Sequence, residues 1–384
     1  MARLGDLYQI TSGGTPSRKH IEYYQEGTIP WVKTGDLKEK YLYTTDENIT
    51  DIGLKNSSAR IYPKDTVLIA MYGATIGASS ILKIEAATNQ ACAAFVRRDD
   101  VIPEYLYAFL QSQHSRFIKD AVGGAQPNLS AGYLKKIDMP IIPINKQRYI
   151  ADLFNKVSDL IAKRRQQLDK LDLLVKSKFV EMFGDCKMNP KKWNICNLEE
   201  IAEVGSSKRV FVEELKETGI PFYRGTEVGA LAEGKSITAE LFITKEHYQE
   251  LCQATGIPQK GDLLMPSICP DGRIWVVNSD EPFYFKDGRV LWVHNINKRF
   301  NPIFLLYTLK DRIMTDYNSI ASGTTFAELK IFALKKCQIF DVSIELQDQF
   351  ANFVEQTQKT KKIISQSLEK LETLKKALMQ EYFG

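Results

Sequence analysis

The chain has 384 residues, which is enough for two or three domains with cores of their own. Charged residues (26%) and apolar residues (44%) occur in the usual proportions for a soluble protein, and no apolar run approaches the roughly 18 residues of a membrane span. The net charge of +4 excludes a strong bulk field for nucleic acid, so a contact of that kind must use local basic groups.

The start of the chain and its cysteines are typical of a cytoplasmic protein. The opening MARLGDLYQI has neither a long apolar core nor a small-residue cleavage site, so we expect no signal peptide. The six cysteines are scattered and form no C-x-x-C pair, so we expect reduced thiols and no metal site.

Residues 1–143 have the composition of a globular segment of short strands, turns and one helix. Pro103 opens an amphipathic helix, because its fixed φ suits the first helical position. The prolines in residues 139–143 exclude a helix there and predict an extended connector. The other predicted elements are a loop at 11–19, a strand at 29–33, a buried strand at 65–71, a turn at 72–77 and a polar loop at 123–128.

Residues 146–183 contain neither Gly nor Pro, and apolar side chains recur there at a seven-residue step. Such a stripe predicts a helix that pairs with another helix along its whole length, interrupted here by Arg164 and Lys178. At roughly 1.5 Å per residue, the helix is roughly 57 Å long. The apolar seam consists of Phe154, Ile161, Leu168, Val175 and Met182, with Ile150, Val157 and Leu171 in the partner row.

The second half of the chain repeats the first. Residues 345–383 also lack Gly and Pro, and adding 200 to Gln147 or Leu171 gives Gln347 or Leu371. Both long segments end on E-x-F-G. Before the second one, residues 220–224, 261–265, 301–306 and 321–325 follow the order of the strand, buried strand, helix and loop of the first half. The second seam uses Phe350, Ile364, Leu371 and Leu378, with a weak position at Thr357.

The repeat predicts a mixed α/β fold of the α+β type with pseudo-two-fold symmetry. Two similar globular domains (residues 1–143 and 185–343) are each followed by a long helix (residues 144–184 and 344–384), and the helices pair as an antiparallel coiled coil. In that pairing Lys361 and Lys362 lie nearly opposite the basic residues 163–165, so we predict no ion pair there.

No motif in the sequence indicates a catalytic centre. Residues 301–304 (N-P-I-F) are similar to the N-P-P-F/Y of adenine methyltransferases but lack the second proline and an upstream glycine-rich loop, so a helix start is the favoured interpretation. The four histidines show no metal spacing and no Ser or Cys partner, which indicates surface or core histidines.

Several loops carry residues suited to DNA, and they recur at equivalent places in both halves. Basic side chains suit phosphates or guanine edges, and amides suit adenine. The same residue types occur in any surface loop, so only their recurrence supports this interpretation. The candidates are Thr15, Ser17, Arg18, Lys19, Lys33, Tyr72, Thr75, Gln126 and Asn128 in the first half, and Ser207, Lys208, Arg209, Arg224, Arg273, Thr324 and Thr325 in the second.

Taken together, the layout and motifs resemble the specificity (S) subunit of type I restriction–modification systems over essentially the whole chain. The motifs are L-x-x-I-T-S-G-G-T-P-S at residues 7–17, I-P-W-V-K-T-G-D-L at 29–37 and Y-G-A-T-I-G at 72–77, with Gln147 and Gln347 at the helix starts. The second half lacks G-G-T-P-S and has P-S-I-C at 266–269, where a glycine-rich turn is expected.

The resemblance implies two target-recognition domains that each read one half of a split, asymmetric DNA sequence, held apart by the helix pair. It implies no catalysis and no cofactor in this chain. Two methyltransferase subunits supply S-adenosylmethionine, and restriction subunits, bound through them, use ATP and Mg²⁺. The first long helix has nine Lys or Arg against five Asp or Glu, and we expect the methyltransferase subunits there. The alternatives are a methyltransferase in its own right and a coiled-coil scaffold that never touches DNA.

Overall fold

The computed structural model describes residues 1–121, 128–323 and 327–384. These residues form two compact units, one made of residues 1–166 with 365–384 and the other of residues 167–364. Each long helix therefore contributes one half to each unit. The candidates Gln126, Thr324 and Thr325 lie outside the described residues.

The first unit is built from many short strands. Its strands are β1 (Ala2–Arg3), β2 (Thr11–Ser12), β3 (Ile29–Val32), β4 (Tyr41–Leu42), β5 (Asn48–Ile49), β6 (Ile61–Tyr62), β7 (Val67–Ala70), β8 (Ser79–Leu82), β9 (Ala86–Thr88), β10 (Cys92–Phe95) and β11 (Asp138–Met139). Its helices are α1 (Leu4–Leu7), α2 (Asp51–Lys55), α3 (Pro103–Ser112), α4 (His114–Asp120), α5 (Ala131–Lys135), the part of α6 (Ile144–Phe183) up to residue 166 and the part of α12 (Ile344–Phe383) from residue 365.

Two sheets form the core of the first unit, in the orders β2-β10-β7-β8-β4 and β5-β3-β9-β6. Every residue of β7, β8 and β10 is buried, which explains why β7 reads as a continuous apolar run rather than an alternating one. α3 begins at Pro103 as predicted and buries Tyr105 and Phe109 against this core.

The second unit repeats the plan. Its strands are β12 (Asn194–Asn197), β13 (Glu203–Gly205), β14 (Ile220–Tyr223), β15 (Phe242–Ile243), β16 (Leu263–Pro266), β17 (Trp275–Val276), β18 (Tyr284–Phe285), β19 (Val290–His294), β20 (Ala321–Ser322), β21 (Glu328–Leu329) and β22 (Gln338–Asp341). Its helices are the part of α6 from residue 167, α7 (Leu198–Ile201), α8 (Gly225–Ala232), α9 (Lys245–Thr255), α10 (Pro302–Ile320), α11 (Ile331–Lys335) and the part of α12 (Ile344–Phe383) up to residue 364. The two largest sheets have the orders β13-β19-β16-β17 and β15-β14-β18.

Strand register shows that the internal repeat is structural. β3 pairs antiparallel with β5 and parallel with β9, and β14 pairs antiparallel with β15 and parallel with β18. Trp31 faces Ala87 as Phe222 faces Tyr284. The turn after the buried strand is also kept. In the second half Gly272 (φ +66°) lies three residues before β17, and in the first half Gly77 (φ +80°) lies two residues before β8.

The two long helices run antiparallel in each unit, as the seven-residue pattern predicts. In the first unit Phe154 of α6 stacks on Phe383 of α12 with ring centroids 5.7 Å apart. In the second unit the rings of Phe179 and Phe350 are 5.4 Å apart. Seam residues face inward: Phe154, Ile161, Val175 and Phe350 are buried, while Leu168, Leu171, Ile364, Leu371 and Leu378 are half-buried.

One detail of the helix prediction needs correction, and the structure adds to another. The predicted opposition of Lys361 to residues 163–165 is wrong, because Lys361 pairs with Asp172 (2.6 Å) while Arg165 pairs with Glu372 (2.7 Å). Thr357 remains the polar position of the second seam. It is buried, and its hydroxyl donates to a backbone carbonyl one turn earlier at 2.9 Å.

The repeated E-x-F-G ends have a packing role. Phe183 lies against Phe304 of α10 (4.8 Å between centroids) and against Phe350. Phe383 lies against Tyr105 and Phe109 of α3 at 5.4 and 5.7 Å. The last turn of each long helix thus fills an aromatic cluster on a globular domain, α6 in the second unit and α12 in the first.

Candidate nucleic-acid interface

The loop after β2 owes its glycines to packing within the domain. A Cβ at Gly13 would lie 1.9 Å from the carbonyl oxygen of Thr88, and one at Gly14 would lie 2.1 Å from the hydroxyl of Ser58. Both glycines are buried. The close approach that they permit is therefore to neighbouring atoms of the same domain.

The next residues of this loop are exposed and basic. Thr15, Ser17, Arg18 and Lys19 all face solvent. The guanidinium of Arg18 lies 4.2 Å from the ring centroid of Tyr24, a cation–π arrangement that holds the side chain against the domain. The hydroxyl of Thr15 donates to the side chain of Gln90, and the hydroxyl of Ser17 accepts from the backbone of Lys19.

Arg18 and Lys33 converge on one carboxylate. Arg18 Nη2 lies 2.6 Å from Glu47 Oε2, and Lys33 Nζ lies 3.0 Å from Glu47 Oε1. Burial raises the pKa of Glu47, but hydrogen bonds from the two cations outweigh it and leave this pKa below its ordinary value. The sequence predicted both cations as DNA contacts, and the structure brings them together.

The turn after β7 meets the second polar loop. Tyr72 forms an isolated antiparallel bridge with Asn128, and the amide of Leu129 donates to the carbonyl of Met71 at 2.8 Å. The Tyr72 side chain is 37% exposed. Thr75 lies three residues further along the same turn and is half-buried. Two separate candidate loops therefore present neighbouring side chains.

In the second unit, Ser207 is engaged internally while its neighbours are exposed. Its hydroxyl donates to the carbonyl of Phe285 at 2.6 Å, so the hydroxyl proton already has an acceptor within the domain. Lys208 and Arg209 face solvent, and Arg209 Nε lies 3.1 Å from Asp287 Oδ2.

Lys33 and Arg224 occupy equivalent positions at the ends of β3 and β14. The amide of Lys33 donates to Asp36 at 2.7 Å, and the amide of Arg224 donates to Glu227 at 2.8 Å. In both cases a carboxylate three residues later caps the helical turn that follows the strand.

Arg224 also holds two acids with its side chain. Its Nη2 lies 2.5 Å from Glu227 Oε1 and 2.8 Å from Glu240 Oε2. Burial raises the pKa of Glu227, but the hydrogen bonds from Arg224 dominate and lower this pKa to about 2. Glu227 is therefore ionised in the folded protein at neutral pH.

Arg224 lies at the edge of a cavity of about 580 Å³ in the second unit. Arg273, Lys286 and Arg289 also line it, above apolar side chains that include Phe222. Lys286 and Arg289 were not predicted from the sequence, because no motif surrounds them. Strand order could have identified them, because they follow β18 as residues 89–91 follow β9 in the first unit.

The cations of this cavity have acidic partners. Arg273 Nε lies 2.9 Å from Asp271 Oδ2, Lys286 Nζ lies 3.6 Å from an Asp287 oxygen, and Arg289 contacts Glu328. These pairs are partly exposed, and such pairs contribute roughly 0–1 kcal/mol each. A phosphate can therefore compete for the cations at low cost.

The N-P-I-F segment has a structural role. The Asn301 side chain accepts from the amide of Ile303 at 2.9 Å and donates to Asp348 at 2.8 Å, as an N-cap of α10 does.

Within the part of the chain that the structure describes, no three His, Cys, Asp or Glu side chains are grouped as a metal site. No helix in that part is both long and apolar enough to cross a bilayer.

Comparison with known proteins identifies relatives of the whole chain. Residues 1–172 and 190–373 both match the family model described as type I restriction modification DNA specificity domain. The type I restriction enzyme MjaIX specificity subunit of Methanocaldococcus jannaschii is 28% identical over 360 residues, which cover 86% of this chain and 79% of that protein. The type I restriction enzyme EcoR124I/EcoR124II specificity subunit of Escherichia coli is 24% identical over 200 residues, covering 50% of this chain and 49% of that protein.

Solved structures show the same fold. The S subunit of a type I restriction–modification system from M. genitalium has a TM-score of 0.58 at 16% identity, covering all of this chain and 95% of that one. A chain from a study of complex assembly and conformational transition in the type I system has a TM-score of 0.63 at 16% identity, covering all of this chain and 96% of that one. With two family matches that together span most of its length, this chain belongs to the type I restriction–modification DNA specificity family.

Proposed function

We propose that this chain is a non-catalytic DNA-reading subunit that recognises a split, asymmetric target, one half with each globular domain. The observation that carries the proposal is the equivalence of Lys33 and Arg224. Each directly follows the equivalent strand of its domain, and the two strands pair in the same way, while the candidate loops of the two domains differ in sequence. One framework with different loops suits two readers of different sequences.

The long helices supply the spacing in this proposal. Each has 40 residues, or about 60 Å at 1.5 Å per residue. The antiparallel contacts between the helices in both units support this proposal. A stiff pair of helices fixes a distance, and that distance sets the gap between the two half-sites. Removal of one heptad from each helix is expected to change the permitted gap and leave both half-sites readable.

Partner subunits supply the chemistry. We propose two methyltransferase subunits with S-adenosylmethionine, and restriction subunits that use ATP and Mg²⁺ and join through them, all in the cytoplasm. This chain binds none of these cofactors in the proposal. Support comes from the relatives, whose names describe specificity subunits of type I restriction enzymes.

The decisive experiment is methylome sequencing of a host that carries this chain with its methyltransferase subunits. The expected result is one bipartite motif with a fixed gap, and loss of duplex binding when either half is scrambled. Binding of S-adenosylmethionine by the isolated chain would favour a methyltransferase instead. Equal binding of scrambled duplexes, or no binding, would favour a scaffold that does not read DNA.

The candidate cations are tested by the dependence of binding on salt. Arg18→Ala and Lys33→Ala are each expected to lower the slope of log affinity against log salt by about 1, because each cation neutralises about one phosphate. Lys55→Ala, an exposed lysine on α2, is the control with the same loss of charge. Equal slopes for all three variants would remove Arg18 and Lys33 from the interface.

A further inference from the structure

A buried glutamine lies in the first turn of each long helix, and its side-chain amide makes three hydrogen bonds. In the first unit Gln147 is 1% exposed. Its Oε1 accepts from the amide of Ile102 at 2.9 Å, and its Nε2 donates to the carbonyls of Asp100 (2.8 Å) and Ile142 (2.9 Å). The one side chain therefore joins α6, the connector before α6, and the loop that leads into α3.

The second unit has the same arrangement. Gln347 is 0% exposed. Its Oε1 accepts from the amide of Asn301 at 2.8 Å, and its Nε2 donates to the carbonyls of Arg299 (3.0 Å) and Val342 (2.9 Å). The partners are all backbone groups, which explains how the arrangement is kept although the residues that supply them differ.

This geometry permits a single orientation of the amide. The acceptor faces one N–H and both donors face carbonyls, so a flipped amide would set like groups against each other at all three contacts. The bonds are made away from water, where an unmade bond is costly. An apolar residue of similar size would fill the space but leave one N–H and two carbonyls without this partner.

These bonds bear on the direction of the helix rather than on whether it forms. The helix itself is supported by its seam, and its backbone bonds do not reach the loop at residues 100–102. Proline residues in the connector, including Pro140 and Pro143, remove backbone donors that could attach it to the domain in another way. The glutamine amide supplies the direct polar link between the first turn of the helix and that loop.

We propose that Gln147 and Gln347 are positioning residues that fix the angle at which each long helix leaves its globular domain, and thereby restrict the gap between the two DNA half-sites. The inference rests on the proposed function. Neither residue contacts DNA in this proposal. Their effect on recognition passes through the first turns of α6 and α12.

The test uses the full chain with its methyltransferase subunits and duplexes that carry the native target with the gap unchanged, shortened by one base pair or lengthened by one. Gln147→Leu is expected to lower discrimination between native and altered gaps about tenfold, since three buried hydrogen bonds are lost. Discrimination against a scrambled half-site is expected to change less than about twofold. Gln166→Leu, at an exposed position of the same helix, is the matched control and should change neither.

The two discriminations separate positioning from general stability. A residue that only stabilised the fold would reduce binding to all duplexes together and leave the gap preference unchanged. An unchanged gap preference in Gln147→Leu and in Gln347→Leu, with a wild-type chain that does prefer one gap, would overturn this inference and leave the proposed function standing. A wild-type chain without any preference for gap would overturn both.

Amide hydrogen exchange provides a measurement that needs no DNA. In Gln147→Leu, exchange at Ile102 is expected to accelerate at least about tenfold, because its amide loses the Oε1 acceptor. Gln147→Glu keeps that acceptor, so its exchange at Ile102 should stay closer to wild type, but it sets a carboxylate oxygen against the carbonyls of Asp100 and Ile142, so its gap preference should fall as in Gln147→Leu. Unchanged exchange at Ile102 in the folded Gln147→Leu variant would refute the positioning role.

Discussion

Replacement of Phe383 by alanine tests how the end of α12 is attached to the first domain. The ring is 5% exposed and lies 5.4 to 5.7 Å from the rings of Tyr105, Phe109 and Phe154. A buried phenylalanine covers roughly 150–250 Å², worth roughly 4–6 kcal/mol at about 25 cal/mol per Å². The methyl group retained by alanine reduces this, so Phe383→Ala is expected to lower the free energy of unfolding of the first unit by about 3–5 kcal/mol.

Urea unfolding monitored by residue-resolved hydrogen exchange measures this loss, because bulk unfolding would mix two units that need not unfold together. Protection should fall in α3 of the first unit and stay unchanged in α10 of the second. Phe183→Ala should give the reverse pattern. Leu374→Ala, at a 47% exposed position of the same helix, is the control and should cost less than about 0.5 kcal/mol. A loss below about 1 kcal/mol for Phe383→Ala, or equal losses in both units, would refute the packing described for the helix ends.

Three further experiments test other parts of the molecule. Gly13→Ala places a methyl group 1.9 Å from a backbone oxygen and should prevent stable folding of the first domain, while Gly35→Ala, with no atom within 4 Å, should leave the thermal midpoint within a few degrees of wild type. Glu227 has a pKa lowered to about 2, so its stabilisation is present above its ordinary pKa and is lost as pH falls through the acid range. Glu227→Gln should cost about 2 kcal/mol at pH 7 and make acid unfolding of the second unit less steep, and an unchanged acid transition would contradict this. A double-mutant cycle on Arg165 and Glu372 should give a coupling below about 1 kcal/mol that declines with salt, whereas several kcal/mol would show a desolvated pair.

The helices were predictable because their pattern is long. Forty residues without Gly or Pro provide several heptads, and the seam they predict is the inward-facing row of the structure. Phe179 was missed because it lies beside the seam and faces α10, in a position that the heptad alone does not mark. The register between the two long helices was predicted incorrectly, because two seams with the same heptad pattern do not determine which residues lie opposite each other.

The sheets were less predictable for a physical reason. Most strands have two to four residues, too few to show alternation, and β3 and β14 even contain a proline each. These strands are stabilised by pairing with neighbouring strands of their own domain, in a register that both domains share, rather than by local propensity.

Recurrence in the two halves marked the candidate interface in the sequence. Arg18 and Lys33 were both identified, but their meeting at Glu47 depends on a strand pairing that no local motif encodes. Lys286 and Arg289 were missed because they reach the cavity from the segment between two strands, without a turn signature. Gly13 differs from these residues. Its motif was identified in the sequence, but the reason for the glycine is packing within the domain.

The division of the chain into units also bears on the order in which it folds during synthesis. The second unit is continuous, from residue 167 to residue 364, so all of its residues are synthesised before residues 365–384. The first unit needs that last segment, including Phe383, to close the aromatic cluster on α3. The domain translated first is therefore completed last, and until then its α3 surface is an apolar patch that a chaperone can bind.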